Sequence, residues 1–563
     1  MHRFIKILVK TVLILVAISL LFVWAFNRLT TLDAPEVVNS FDLNEKKVEV
    51  SHEVYTFQDS WLKKNEYGLW EMFIAGNPFE MGYKNGILTD SLNAYQELQF
   101  VNSIKEIIPS ESYLNSLKYF LAWYNRSLNR YVPLEYRKEI YGVSLFASDD
   151  FNFIGESYPR MLNYHAAHDI GHALQNMNLV ACTAFMVKGE RSSDGGMMIG
   201  RNMDFSVGEG FAENKIVAFY RPEEGYNFAF ITWAGMIGVV SGMNDQGLVV
   251  TLNAAKSSIP FSAKTPVSIL ARKVLQHASN ISEALAIIQK AEVFVAESFL
   301  IGSAKDDKTV VIEKSIDETA LYDTHSDTLI LTNHYQSDEL VNSKLNLESL
   351  EDGSSPYRMQ RVAELLDEVV KHTPETFVHI LRDQKGLNNT NIGMGNEKAV
   401  NQLIAHHSVI FKPKELQMWV AANPYQLGSY ICYDLNAVFS DSLDFRKEIS
   451  IFSNTIAEDD FLFSEDFKNF KEYKTLTSKF KKLLWDEKYD AILDEELARY
   501  ETLNPNYFYT YYMLGECFDA KKEKTEALKY YERALQYEVS RSSEKEIIEK
   551  RIVNLKKDLR KDD

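Results

Sequence analysis

Apolar and polar positions change period several times along this chain, and each change marks an element. Residues 1–30 open with His2, Arg3, Lys6 and Lys10 and then run apolar from Thr11 to Phe26. A basic start before an apolar stretch is a targeting element. The run is short against the roughly 20 residues of a full span, but counting from Ile5 and letting Lys10 snorkel lengthens it. No small-residue cleavage site follows. Trp24, Phe26, Asn27 and Arg28 make an interface-like end instead. The pattern predicts an uncleaved membrane anchor over a cleaved signal, with the rest of the chain on the extracytoplasmic side. Residues 31–66 are polar and mixed, a linker. Leu69 to Gly76 reads as a strand, and residues 90–180 carry Tyr95, Phe100, Ile104, Ile107, Leu117, Phe120 and Trp123 at helical spacing.

From residue 181 the period shortens. Ala184–Val187 and Met197–Ile199 are apolar runs around a Ser192–Gly196 turn, which predicts a β-hairpin over 181–204. Further strand-like runs are Lys215–Tyr220, Asn227–Trp233, Ile237–Ser241, Leu248–Asn253, Ser298–Ser303, Thr309–Glu313 and Thr328–Asn333. They are short and sequential, which suits antiparallel sheets. Pro266–Ala278 and Ile281–Ala291 read as helices, the second with an Asn280/Glu283 capping signal. Strands and helices segregated in this way predict an α+β fold. Residues 456–563 turn charged and helical, and Tyr511, Leu514, Gly515, Phe518, Ala527, Tyr531 and Ala534 resemble the tetratricopeptide template. The expected units are an anchor at 1–30, a linker at 31–66, a helical segment at 67–181, a catalytic domain at 182–455 and a tetratricopeptide-like domain at 456–563.

Composition narrows the function. A net charge of −18 argues against a nucleic-acid partner. Three distant cysteines, Cys182, Cys432 and Cys517, form neither a disulfide framework nor a zinc cluster. One of them can be set aside for chemistry. The predicted hairpin brings Cys182 to the same end as Arg201 and Asp204. There a cation can lower a thiol pKa and a carboxylate can hold an amine. Taken alone, Cys182 reads more readily as a buried core thiol. His165, His168 and His172 share one helix face, and the last two are four apart. Two imidazoles on adjacent turns can bind metal, but Asp169 stands where a zincin has Glu. Packing within a helix is the favoured reading, with no metal and no cofactor.

The stretch A-C-T-A-F-M-V…G-R-N-M-D-F (181–205) resembles the Ntn-hydrolase superfamily, in particular penicillin-type acyltransferases (peptidase family C45), choloylglycine hydrolases and acid ceramidases. G-N-P-F-E-M-G-Y-K-N-G (76–86), N-D-Q-G-L-V-V-T-L-N (244–253) and L-T-N-H (331–334) extend the likeness over roughly residues 70–450. The resemblance implies an αββα sandwich and a cut between Ala181 and Cys182 that makes Cys182 N-terminal. Its own α-amine then serves as base. It also implies that Asn333 and Asn253 build the oxyanion hole, that Arg201 and Asp204 flank the nucleophile, and that Arg358 lies near the site. The expected substrate is a small-molecule N-acyl amide, and the tetratricopeptide segment implies a protein partner. Two rivals remain, an inactive envelope scaffold and a metallohydrolase around His165. His407, in A-H-H-S-V-I-F, has no assigned role.

Overall fold

The computed structural model describes residues 2–38, 41–107, 110–173, 180–205, 208–258 and 260–562. Two sheets face each other. Among the described residues the larger has eleven strands, in the spatial order Val48–Ser51, Val54–Phe57, Ser60–Lys64, Trp70–Gly76, Ile216–Pro222, Phe228–Thr232, Ser241–Asn244, Leu248–Ala254, Glu297–Ser303, Lys308–Lys314 and Thr319–Tyr322. The smaller has six, in the order Thr328–Leu331, Val180–Val187, Met198–Phe205, Ala405–Lys412, Gln417–Ala421 and Tyr430–Asp434. Ala184, Met186, Ile199, Val217, Phe219, Val249, Leu300 and Val409 fill the layer between them.

Each sheet also buries its outer face. Helices Pro78–Leu88, Leu134–Ser144, Val267–His277 and Ile281–Lys290 bring apolar residues into one cluster with Met72, Ile74 and Val250 of the larger sheet. On the smaller sheet, Val362, Leu366, Phe377 and Leu381 from helices Ser354–Asp367 and Pro374–Leu381 pack with Phe185, Ile410 and Trp419. The layers therefore run helix, sheet, sheet, helix. The G-x-x-x-G of residues 82–86 has a packing cause. A Cβ on Gly82 would lie 1.9 Å from the Glu139 carbonyl oxygen, and one on Gly142 would lie 2.5 Å from Tyr83 N. Only glycine lets helices Pro78–Leu88 and Leu134–Ser144 approach so closely.

The structure departs from the sequence reading in three places. The stretch 31–66, expected as a linker, holds Val48–Ser51, Val54–Phe57 and Ser60–Lys64, which extend one edge of the larger sheet. Each run is only four or five residues long and lies among charged residues such as Lys47, Glu49, Glu53, Asp59, Lys63 and Lys64, which hid the pattern. The pairing of Trp70–Gly76 with Ile216–Pro222 is parallel, against the antiparallel expectation. These strands are far apart in sequence, so no tight turn dictates their direction. The strand expected over Ile237–Ser241 starts only at Ser241, because 237–240 is a buried loop. The Asn280 cap forms, accepting from Glu283 N at 3.0 Å, while the Glu283 carboxylate takes the Ser279 N–H instead of closing a capping box.

The N-terminal helix His2–Thr30 is long and apolar enough to cross a membrane, with mean hydropathy 2.6 over its most apolar window. Phe26 near its end stacks on Trp123, with ring centres 6.2 Å apart. At the other end of the chain, helices Glu465–Trp485, Asp494–Leu503, Phe508–Ala520, Lys524–Ala534 and Ser542–Asp562 share a core of Phe480, Tyr500, Tyr511, Leu514 and Tyr531. That core continues into Leu403, Tyr425 and Leu427 of the sandwich. Asn504 locks the contact by accepting from Met394 N at 3.1 Å and donating to Met394 O at 2.8 Å.

Candidate active site

Strands Val180–Val187 and Met198–Phe205 form the expected hairpin, with Cys182 opposite Met203, Ala184 opposite Arg201 and Ala181 opposite Asp204. Side chains of paired residues share a face. Cys182 and Arg201 therefore lie on one face, and Asp204 lies on the other with Thr183 and Asn202. On the first face Arg201 Nη2 donates to Cys182 Sγ at 3.3 Å. Arg201 also donates to the Leu252 carbonyl and to Ser241 Oγ in short hydrogen bonds. The larger sheet thus holds the guanidinium against the sulfur.

The backbone of Cys182 is held from the other side. Its N–H donates to Asn333 Oδ1 at 2.9 Å. Arg358 donates through Nη1 to the Cys182 carbonyl at 2.8 Å and to Thr183 Oγ1 at 3.0 Å. Asn333 in turn donates from Nδ2 to the Ala254 carbonyl at 2.9 Å. Asn253 donates to the carbonyls of Leu331 at 3.3 Å and Thr332 at 3.1 Å, tying the two sheets together. In this arrangement both amide NH₂ groups are engaged with carbonyls, and the oxygen of Asn333 faces the Cys182 nitrogen.

The electrostatics follow from burial. Cys182 is 1% exposed. Burial pushes its thiol up to about 11, against the pull of the Arg201 charge. Asp204 is fully buried, and among the described residues neither carboxyl oxygen has a hydrogen-bond partner. Burial raises it to about 7, opposed by Arg358 and Arg201. Glu297, beside Ala254 in the next strand, is raised well above the carboxylate range by burial and by Asp169. The charged forms of thiol and carboxyl are thus both disfavoured while the chain is continuous.

The five partners expected around Cys182 divide by distance. Arg201, Asn333 and Arg358 bond to it directly. Asp204 acts on it only through space, and Asn253 braces the strand end beside Asn333. Sequence reasoning missed Ser241 and left His407 without a role. Both join Arg201 in one buried chain of hydrogen bonds. Their signal was weak, since a Ser at a strand start and a His in an apolar strand are ordinary core residues. A cleft lined by Phe100, Met161, Phe205, Phe211, Trp233 and Met236 begins at the residue after Asp204. The helices Asp90–Ile107 and Ser157–Ala173 supply Phe100 and Met161 to its wall.

The histidine cluster is partly defined. His165 Nε2 accepts the Ile237 N–H at 3.0 Å, so its Nδ1 proton goes to the Met161 carbonyl at 2.8 Å. Both ring nitrogens are taken, and burial lowers the ring to about 4. The side chains of His168 and His172 lie outside the described residues.

Comparison with known proteins bears on the class. Residues 191–424 match the family model for acyl-coenzyme A:6-aminopenicillanic acid acyl-transferase, a segment that begins after Cys182 and includes its five expected partners. An uncharacterized protein of Archaeoglobus fulgidus is 27% identical over 275 residues, 45% of either chain. The N-acylethanolamine-hydrolyzing acid amidase of Caenorhabditis elegans is 25% identical over 225 residues, 38% of this chain and 59% of that one. The chain thus spans about half the length of the curated relatives it matches. Among solved structures, the Caenorhabditis elegans amidase ortholog overlaps at TM-score 0.30 with 18% identity, covering 41% of this chain and 93% of that one. A conjugated bile acid hydrolase from Clostridium perfringens overlaps at 0.32 with 16% identity, covering 45% and 92%. Over the matched segment the chain is similar to amide hydrolases and acyl transferases of the Ntn-hydrolase superfamily.

Proposed function

We propose that this protein is a cysteine N-terminal-nucleophile enzyme that cleaves, or transfers the acyl group of, linear N-acyl amides. The observation that carries the reading is the convergence of Arg201, Asn333 and Arg358 on one cysteine at the end of a hairpin. A buried structural thiol does not need a guanidinium on its sulfur and an amide oxygen on its nitrogen.

Maturation starts with attack of Cys182 Sγ on the Ala181 carbonyl carbon. The peptide C–N bond breaks as the C–S bond forms, the nitrogen takes the thiol proton, and water then hydrolyses the thioester. The products are an Ala181 carboxylate and a free Cys182 amine. That amine, with an ordinary pKa near 8, is the base the latent thiol lacks. Asn333 Oδ1 already faces this nitrogen and holds it in place. Asp204, across from Ala181, is the carboxylate available to the new ammonium. In turnover the amine takes the thiol proton and sulfur attacks the substrate carbonyl. The proton then passes to the departing amine, and water or a second amine releases the acyl group.

Oxyanion donors must wait at the carbonyl oxygen. In the uncut chain the Asn333 amide donates to the Ala254 carbonyl and the Asn253 amide to the Leu331 and Thr332 carbonyls, so each turns from those partners to serve the oxyanion. The aromatic cleft starting at Phe205 suits an apolar acyl group. The segment 67–181 stays packed after the cut, because it forms part of that wall. The N-terminal helix anchors the enzyme with its catalytic part outside the cytoplasm, and the C-terminal helices serve a protein partner through a tetratricopeptide-like surface. N-terminal sequencing of the purified protein, followed by a panel of N-acyl amides, tests the reading. A Cys182 terminus and turnover that is lost in Cys182→Ala support it, and full turnover in Cys182→Ala ends it.

A further inference from the structure

The strand Ala405–Lys412 pairs with Met198–Phe205, and its register slips between Ala405 and His407. Ala405 lies opposite Asp204 and His407 opposite Met203, so His406 is an extra residue. Without the bulge His407 would fall opposite Asn202, on the face away from the sulfur. With it, His407 shares the face of Met203, Cys182 and Arg201.

On that face the hydrogen bonds have one self-consistent direction. Arginine carries only donors, so Ser241 Oγ accepts from Arg201 Nη1. His407 Nε2 lies 2.8 Å from Ser241 Oγ and 3.5 Å from the same Arg201 nitrogen. A proton on Nε2 would face that cation, so Nε2 is the acceptor and Ser241 O–H donates to it. The His407 proton is then on Nδ1, directed at His406 Nδ1 at 2.9 Å. His406 accepts there and keeps its own proton on Nε2, and its ring meets the Trp233 ring edge to face with centres 5.1 Å apart. Every member is nearly fully buried.

We propose that His407, acting through Ser241, is a positioning residue that holds the Arg201 guanidinium on the Cys182 sulfur, and that the bulge at His406 exists to aim it there. Neutral imidazole is essential to this chain. Burial and the charges of Arg201 and Lys215 push the His407 ring well below its usual range. The other titratable groups around the sulfur are Asp204, Glu297 and Arg358. His407 touches no substrate atom, so its effect appears as a change in the thiol and not in substrate affinity.

The inference rests on Cys182 being the nucleophile, and the test separates the two. The full-length protein and its Ser241→Ala, His407→Leu and His407→Gln variants are compared by the pH dependence of Cys182 alkylation with iodoacetamide. Turnover of an N-octanoyl p-nitroanilide probe is measured alongside. Gln can present an acceptor oxygen to Ser241, and Leu cannot. We expect Leu and Ala to move the alkylation midpoint to higher pH and to lower kcat by up to about a hundredfold with KM within about twofold, and Gln to restore most of both. Ser241→Ala removes one oxygen, so it serves where His407→Leu fails to fold. An unchanged alkylation midpoint in both, or a Gln variant no better than Leu, overturns the positioning role. A wild-type protein with neither alkylation nor turnover overturns the nucleophile reading, and the relay with it.

Discussion

Arg358 and Asn333 grip the two sides of one residue. The Arg358 guanidinium donates to the Cys182 carbonyl at 2.8 Å and to Asn333 Oδ1 at 2.8 Å, and Asn333 Oδ1 accepts the Cys182 N–H at 2.9 Å. Three groups close a ring of hydrogen bonds around the peptide unit that begins the proposed mature chain. A fork of two donors is what this geometry uses, and a lysine cannot supply it.

Arg358→Lys is therefore expected to slow maturation sharply while leaving the protein folded. Arg358→Ala removes a donor from the Cys182 carbonyl, from Thr183 Oγ1 and from Asn333 Oδ1, the last of which keeps the Cys182 N–H, and costs roughly 1–3 kcal/mol of stability. A time course of fragment formation on denaturing gels reads the first effect, and thermal unfolding reads the second. Lysine processing at the wild-type rate would remove Arg358 from the account.

Asp204 makes a pH prediction whose sign is fixed by its burial. Its pKa is raised to about 7 in the folded chain, whereas an unfolded Asp titrates near 3.9. The folded state therefore holds more protons between these values. Stability must fall as pH rises through that window, by up to about 4 kcal/mol. Glu139 is also raised to about 7 by burial, and Glu297 is raised too, so the total slope is shared. The difference between Cys182→Ala and Cys182→Ala/Asp204→Asn isolates Asp204. Melting temperatures recorded from pH 4 to 8 should fall less steeply in the double variant, and parallel curves would contradict the assignment.

The N-terminal helix predicts membrane behaviour. The full chain should stay with the membrane pellet after carbonate extraction, and a chain lacking residues 1–30 should stay in the supernatant. A fragment ending at Ala181 whose own N-terminus lies beyond residue 30 would make the helix a signal rather than an anchor.

Much of the site was legible because it is local. The hairpin joins two apolar runs by a polar turn, and that pattern puts Cys182, Arg201 and Asp204 at one end before any tertiary contact is known. Cross-strand register was not legible. It places Arg201 on the sulfur and Asp204 on the opposite face, and a shift of one residue would exchange them. Ser241 and His407 reach the site from other strands, His407 by way of a bulge that leaves no compositional trace. The parallel pairing of Trp70–Gly76 with Ile216–Pro222 was hidden for the same reason, since long-range neighbours carry no turn signal. At the C-terminus, the small residue at Gly515 was legible as a close helix contact. A Cβ there would lie 2.7 Å from the Tyr531 ring.

The central claim is that the chain cuts itself to free the Cys182 amine. Intact-mass and N-terminal measurement of the purified full-length protein, with Cys182→Ala beside it, tests this most directly. The account predicts two fragments in the wild type, one ending at Ala181 and one beginning at Cys182, and a single uncut chain in the variant. A wild-type chain that stays whole yet hydrolyses N-acyl amides would contradict it.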